Sequence, residues 1–456
     1  MPRIIDCHVH HLDDSQVDWA RKIGYQKVCL MDWRAEVLKE RLARHPDFVI
    51  ALGWVPLELD EAVSVAAVER FREIGCLGLK ACCASARYDD ERFYPVYARA
   101  QEYGMPVFFH TGWLDQRVAG TAYPVKARLL ADWYNPMTLD RITLDFPKLK
   151  LIAFHMGGAY RQDAALLMRN HPNVYADSCT SFEPHQFVWG QIGGKTGGMA
   201  VLAKMVYGTD GMGTRQFHED RLRSFIGFLD AVGAPAGLQD RILYRNPLRI
   251  LRLDEELRKV ARVHRAGAAK FDLAKAVRGS VHGVARIADF MDHGQDRFGE
   301  PTRHKTVCWM GYDDAALHLL FFCADRKTKS LACSGPDEPV DGIWQNDSVE
   351  IFISPGCNDV YRHFVVNARG RASIQTGRNG ASAEFSGQTA SRITPAGWAV
   401  RLSVPFEVLG ARPAPGAKWG LNLCRNKKTA PQETITWCEV ATTFHDPTSF
   451  GRLVFE

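Results

Sequence analysis

Across residues 3–253, short apolar runs alternate with stretches whose apolar residues recur every three or four positions. The runs are RIIDC (3–7), KVCL (27–30), VIALGW (49–54), CLGLKA (76–81), PVFFH (106–110), KLIAFH (150–155), VYAD (174–177) and MVYG (205–208). Between them lie segments such as RAEVLKERLARH and DEAVSVAAVERFREIG, which have the spacing of amphipathic helices. This rhythm leaves few folds open. Strands joined through helices run parallel, and helices then cover both faces of the sheet. Eight such units predict an α/β fold, a (β/α)8 TIM-like barrel over residues 1–253. A doubly wound open sheet uses the same units, but no G-x-G-x-x-G follows the first strand.

Beyond residue 253 the rhythm changes. Residues 254–278, DEELRKVARVHRAGAAKFDLAKAVR, read as a closing helix and linker, rich in Ala and in charge. From 279 to 456 come alternating, aromatic-rich runs such as ALHLLFFCAD, DSVEIFIS, WAVRLSVP and WGLNLCRN, separated by Gly, Pro, Asn and Asp clusters. Many short strands without long helices predict an antiparallel β-sandwich.

A barrel delivers its chemistry at the C-terminal ends of its strands. Here those ends carry His8 and His10, then Asp32, Trp54, Lys80, His110, His155, Asp177 and Asp210. In "IIDCHVHH", strand alternation sets His8 and His10 on one face and turns His11 to the other. His110 in "VFFHTG", His155 in "IAFHMGG" and Asp210 in "VYGTDG" each follow an apolar run and precede Gly. A lone histidine at a strand end is ordinarily a hydrogen-bonded structural residue. Imidazoles at successive ends, with a carboxylate on the last, are the nitrogen and oxygen donors of a catalytic metal site.

The order "DCHVH … GLK … FFHTG … FHMGG … GTDG … YRNPLRIL" resembles the amidohydrolase superfamily, in its amidohydrolase-related branch, over residues 3–253. The resemblance implies one divalent metal, zinc or alternatively manganese, held by His8, His10, His110 and Asp210, with His155 as a further ligand or an acid–base group. It also implies that Asp210 moves a proton of the attacking water while His155 polarises a carbonyl. Asp6 either orients the imidazoles or bonds nearby backbone, and Asn246 in "NPLRIL" anchors a loop. Lys80 either bridges a second metal after carboxylation or meets a substrate anion, with one metal favoured. Trp54, Trp113, Arg161 and Arg215 are candidate pocket residues, and Arg117, Lys126 and Arg128 add to the case for an anionic substrate. Cys82 and Cys83 read as packed thiols, with a soft metal as the alternative.

"GIWQNDSVEIFISP", with "YRHFVVNARG", "GWAVRLSVPFEVLG" and "WGLNLCRN", resembles family-nine carbohydrate-binding modules over about residues 280–456. Aromatic faces stack on the C–H patches of sugars and polar side chains take their hydroxyls. That makes Arg303, Trp344, Asn346, Asp347 and Trp437 candidates for glycan contact. Docking on the barrel, or a homo-oligomer contact, stands beside that reading.

Three functions follow as expectations. The first is a metal-dependent hydrolase cleaving a C–O or C–N bond of a small lactone, ester or amide, sugar-derived or anionic. The second is a metal-dependent non-oxidative decarboxylase of a small carboxylic acid. His rather than Glu at the first position of the H-x-H pair tilts toward hydrolysis. The third is an inactive barrel serving as a glycan-binding protein. A formal net charge of +5 without a dense Lys/Arg block argues against nucleic acid or a membrane surface as partner. Twelve scattered cysteines without a C-x-x-C pair suggest reduced thiols in a cytoplasmic setting. The stretch MPRIIDCHVHH lacks the apolar run of an export signal.

Overall fold

The computed structural model describes residues 2–58, 60–112, 130–179, 194–211, 213–294, 297, 299–335, 339–440 and 443–456, with 194–197 described in backbone only. The chain divides into two compact units, Met1–Asp254 and Glu255–Glu456.

In the first unit, eight strands form one parallel sheet in sequential order: β1 (Ile4–Val9), β2 (Tyr25–Asp32), β3 (Val49–Pro56), β4 (Gly78–Cys82), β5 (Val107–His110), β6 (Leu151–Phe154), β7 (Val174–Asp177) and β8 (Met205–Val206). The sheet closes on itself. Cys7 N donates to Tyr207 O at 2.9 Å, Gly211 N donates to His8 O at 3.1 Å, and Val9 bridges Gly211 in parallel. Closure through β8 and the residues after it removes the open-sheet alternative. The eight predicted strands fall where the apolar runs lie.

Local chemistry sets the elements between them. The helix Asp14–Ile23 starts at a capping box in which Asp13 and Gln16 satisfy each other's backbone N–H, and it stops at Gly24, whose φ of 113° favours glycine. Ile5, Cys7, Cys29, Met31, Ile50, Leu52, Phe108, Ile152, Phe154 and Val206 fill one interior cluster. Leu248, Ile250 and Leu251, from the "NPLRIL" segment, join it. Asn246 anchors that segment as expected, donating to Ala203 O at 3.0 Å and Met205 O at 2.7 Å while accepting from Arg241 Nε at 2.9 Å.

The second unit is built of two sheets around a core that includes Phe321, Val349, Ile351, Trp398 and Trp419. One sheet has Thr306–Tyr312, Ala316–Ala324 and Gly397–Pro405 at its centre, and the other Ser348–Ser354, Arg362–Asn367 and Lys418–Lys427. These pairs are antiparallel. The expected closing helix and linker over 254–278 needs correction. Residues Val260–Val263 form a strand that pairs in parallel with Gly451–Phe455, and only Leu273–Arg278 is α-helical. Alternate burial of Val260 to Val263 explains the outcome, since a strand with one buried face outcompetes a helix of mixed charge.

Candidate metal centre

The site begins where β1 and β8 are fastened together. Asp6 Oδ1 accepts from His8 N at 3.0 Å and Thr209 N at 3.1 Å, and Oδ2 accepts from Thr209 Oγ1 at 2.6 Å. Of the two roles expected for Asp6, the backbone-bonding one is what the geometry displays. Gly208 lets the strands approach: a Cβ there would lie 2.9 Å from both His8 Cβ and Asp177 Oδ2. Asp210 then adopts a left-handed backbone, φ 56°, as does His155 after β6, φ 62°.

These constraints bring His8, His10 and Asp210 together. His8 Nε2 lies 3.2 Å from His10 Nε2, and both lie 3.1 Å from Asp210 Oδ1. His8 Nδ1 donates to Asp177 Oδ2 at 2.7 Å, which fixes the tautomer and leaves Nε2 as a lone pair. Burial pushes the His8 pKa well down and keeps the ring neutral, the ligating form. His8 Nε2 and Asp210 Oδ1 are thus two acceptors in contact, an arrangement that repels unless a cation lies against both. Ligand atoms 2.0–2.1 Å from a tetrahedral ion stand about 3.3 Å apart. The residues fit a divalent metal.

A second group adjoins the first. His155 N donates to Asp177 Oδ1 at 2.6 Å, so one carboxylate orients the His8 ring and the His155 backbone. His155 Nδ1 lies 3.2 Å from Cys179 O, and its Nε2 lies 3.2 Å from His110 Nδ1. Burial lowers the His155 pKa to about 4, so this ring is also neutral. Three-residue groups spaced for a metal are His8–His10–Asp210, His155–Cys179–Asp210 and His8–Asp177–Cys179. Among the described residues His110 meets the cluster through His155 and belongs to none of these groups. Asp177 was visible as a polar strand end, but its two-sided role was not. Cys179 carried no sequence signal.

The remaining candidates divide. Lys80 lies inside the barrel, 1% exposed, with Nζ 4.1 Å from the centre of the Phe154 ring. The Trp54 ring lies 6.0 Å from His10, and its Nε1 donates to Cys82 O at 3.5 Å. Arg161 is buried at the start of the helix Arg161–Asn170. Arg215 does not join the cluster: it is exposed at the start of the helix Arg215–Ala231 and pairs with Glu219 at 2.7 Å. Trp113, Arg117, Lys126 and Arg128 lie outside the described residues. His11 turns away as alternation requires, meeting Gln16 Oε1 at 3.0 Å. Cys82 and Cys83 are buried with their sulfurs 3.6 Å apart.

In the second unit the five glycan candidates do not form one surface. Asp347 is fully buried and accepts from the backbone N–H of Ala332 and Lys428 at 2.8 and 2.9 Å. Asn346 Oδ1 takes Ser334 N and Oγ, each at 2.7 Å. Trp437 is core, with Nε1 donating to Asp289 at 3.1 Å, and Arg303 sits at another depression. Turn and core demands claim these polar groups. Trp344, 49% exposed, does line a cavity of about 630 Å³ together with Glu350, His363, Asn426, Lys428 and Phe444. Glu350 binds His363 Nε2 at 2.6 Å and Asn426 Nδ2 at 2.6 Å on its floor. Alternation predicts this face, because Val349, Ile351 and Ile353 point into the core and leave Glu350 and Phe352 opposite.

The family described as amidohydrolase matches residues 26–253, and the carbohydrate family 9 binding domain-like family matches residues 300–456. Among solved structures, an uncharacterized TIM-barrel protein of Bordetella bronchiseptica is 15% identical, covering 55% of this chain and 99% of its own at a TM-score of 0.44. The 2,6-dihydroxybenzoate decarboxylase from Rhizobium is 15% identical, covering 56% of this chain and all of its own at 0.42. A family 9 carbohydrate-binding module from Caldicellulosiruptor kristjanssonii, in complex with cellotriose, is 18% identical, covering 43% of this chain and 94% of its own at 0.30. No curated protein matches the chain.

Proposed function

This chain belongs to the amidohydrolase family, and from that footing we propose that its barrel is a metal-dependent hydrolase of a small lactone, ester or amide. The observation that carries the reading is the contact of His8 Nε2, His10 Nε2 and Asp210 Oδ1 at 3.1–3.2 Å. A divalent ion, zinc or alternatively manganese, bound by these residues with His110 and His155 beside them would supply Lewis acidity and a water of lowered pKa. Asp210 takes a proton from the attacking water and returns it to the leaving oxygen or nitrogen. His155, neutral and anchored at the Cys179 carbonyl, presents Nε2 with His110 as a proton-carrying pair beside the reacting carbonyl. Asp177 keeps the His8 ring turned for ligation.

Elemental analysis of the purified chain, with turnover of a panel of lactones, esters and amides, tests this. One metal equivalent per chain and loss of hydrolysis in His8→Ala and His10→Ala are expected. A metal-free chain whose hydrolysis survives both changes would sink the mechanism. Carbon dioxide released from a carboxylic acid without a new hydroxyl would assign decarboxylation instead.

For the second unit, the cavity beside Trp344 is the proposed sugar site, supported by an aromatic wall above a polar floor. Isothermal titration with glucose and cellotriose should show binding that Trp344→Ala weakens about tenfold, the scale of one aromatic face. Unchanged affinity would remove the cavity from consideration. The twelve cysteines are free, which suits a reducing cytoplasm, and no helix among the described residues is long and apolar enough to cross a membrane.

A further inference from the structure

Neighbouring residues of a strand point to opposite faces, so two consecutive cysteines ordinarily hold their sulfurs apart. The end of β4 departs from that rule. Cys82 is the last residue of the strand, and Cys83 takes a left-handed backbone, φ 54°, uncommon for a residue with a Cβ. The two sulfurs then stand 3.6 Å apart, and each is the other's only side-chain hydrogen-bond partner among the described residues. Both residues are buried, and neither forms a disulfide. The pair lies at the C-terminal end of a barrel strand, the end from which such a barrel admits small molecules.

The loop that Cys83 begins is tied to the metal centre on two sides. Tyr88 Oη donates to His110 O at 2.8 Å, which fastens the loop to the end of β5. Trp54, whose ring lies 6.0 Å from His10, reaches Cys82 O with Nε1 at 3.5 Å. Ser85 N and Oγ both donate to Leu57 O, at 2.9 and 3.0 Å, just beyond the end of β3. A backbone change at Cys82–Cys83 is therefore carried to His110 and to the aromatic neighbour of His10. The two thiols also differ. The Cys82 thiol bonded to it, and then the Lys80 charge, lower the Cys83 pKa, whereas burial pushes the Cys82 thiol well up.

We propose that Cys82 and Cys83 are an oxidative modification site for hydroperoxides, closing to a disulfide that weakens the metal centre. This rests on the metal centre proposed above and holds whichever reaction the barrel performs. The Cys83 thiolate attacks the peroxide, so that an S–O bond forms, the O–O bond breaks and hydroxide leaves. The Cys82 sulfur then attacks the Cys83 sulfur. An S–S bond forms, the S–O bond breaks, and the departing hydroxide takes the Cys82 thiol proton as water. Two thiols lose two electrons, and one hydrogen peroxide becomes two waters. The Cys82–Cys83 peptide is trans, which sets the Cα atoms about 3.8 Å apart, closer than the ~4.4–6.8 Å of ordinary disulfides. Such a bond is strained and readily reduced, the property of a regulatory link rather than a structural one.

The test treats the full-length, zinc-loaded chain with hydrogen peroxide, alkylates the remaining thiols in denaturant and digests with trypsin. The peptide Ala81–Arg87 holds these two cysteines and no other. After peroxide it should carry no alkyl group and be lighter by two hydrogens than the reduced peptide, and dithiothreitol should reverse the change. Zinc affinity, read by competition with a coloured chelator, should fall at least about tenfold on oxidation, the lower end of the cost of disturbing ligand orientation, and recover on reduction. Cys83→Ser should keep wild-type affinity before and after peroxide. If that variant fails to fold, the wild-type peptide and its paired affinities decide alone. Alkylation of both cysteines after peroxide, a sulfinic acid on Cys83 in place of the link, or a link that leaves zinc affinity unchanged overturns the proposal. So does an equal loss of affinity in Cys83→Ser, which would assign the oxidation to Cys179. A chain that takes up zinc and forms no link loses this switch alone. A reduced chain that takes up no zinc loses the metal centre, and the switch with it.

Discussion

Asp177 is fully buried and divides its two oxygens between the His8 ring, 2.7 Å away, and the His155 backbone, 2.6 Å away. Burial pushes its pKa well up, while the His155 amide and the Lys80 charge oppose that rise. Asp177→Asn keeps the volume but can accept only one of the two donors. Metal affinity should fall about 10–100-fold, the usual cost of removing a residue that orients a ligand, and competition with a coloured chelator will measure it. An unchanged affinity would mean that His8 is oriented by its stacking on Phe154 alone. Residues of this kind separate what the sequence discloses from what it hides. His8, His10, His155 and Asp210 were legible because imidazole and carboxylate recur at strand ends in a family's order. Asp177 occupied such an end too, but only tertiary contact tells which residues it serves. Arg215, a pocket candidate by its charge, pairs with Glu219 four residues on, a helical spacing that accounts for that charge locally.

At the scale of elements, the barrel closes through a strand of two residues, β8, reinforced by Asp6 and Thr209. Thr209→Val preserves shape and leaves Asp6 Oδ2 without its hydroxyl donor inside the wall. Thermal unfolding should register a loss of about 1–3 kcal/mol, the cost of an unmet buried acceptor. The strands were readable because each is an apolar run ending in punctuation. Residues 254–278 depart from the helical expectation for the opposite reason: Ala and charge favour helix locally, and the pairing that makes Val260–Val263 a strand comes from residues nearly two hundred positions later. On the cavity-bearing face of the larger sheet, burial lowers the His445 pKa to about 4. The unfolded chain then binds that proton more readily than the folded one. Stability of the second unit should fall as pH drops from about 6.5 toward 4, and His445→Gln should flatten that part of the profile. Denaturant melts of residues 255–456 across this range would reveal a slope that ignores the substitution, if His445 is not the group responsible.

At the scale of the whole molecule, each unit has its own core, one around the barrel interior and one between the two sheets. Residues 1–254 expressed alone should retain full turnover, and residues 255–456 alone should fold and keep the sugar affinity of the intact chain. Activity lost from the barrel on truncation would show that the second unit contributes to the reaction. The two domains were legible from the change of rhythm in the sequence, whereas a site on either depends on loops whose side chains answer to their neighbours. His155 and Asp210 both occupy left-handed backbone, a conformation that costs a residue with a Cβ about 1–2 kcal/mol. The chemistry is therefore carried at positions where glycine would be more comfortable. Asp210→Gly should be more stable than Asp210→Ala by about 1 kcal/mol, and both should be inert. Selection for heat resistance alone would drift toward that inert glycine. A stabilised version of this protein must be screened for turnover at every round, because robustness and reactivity compete for the same two backbone positions.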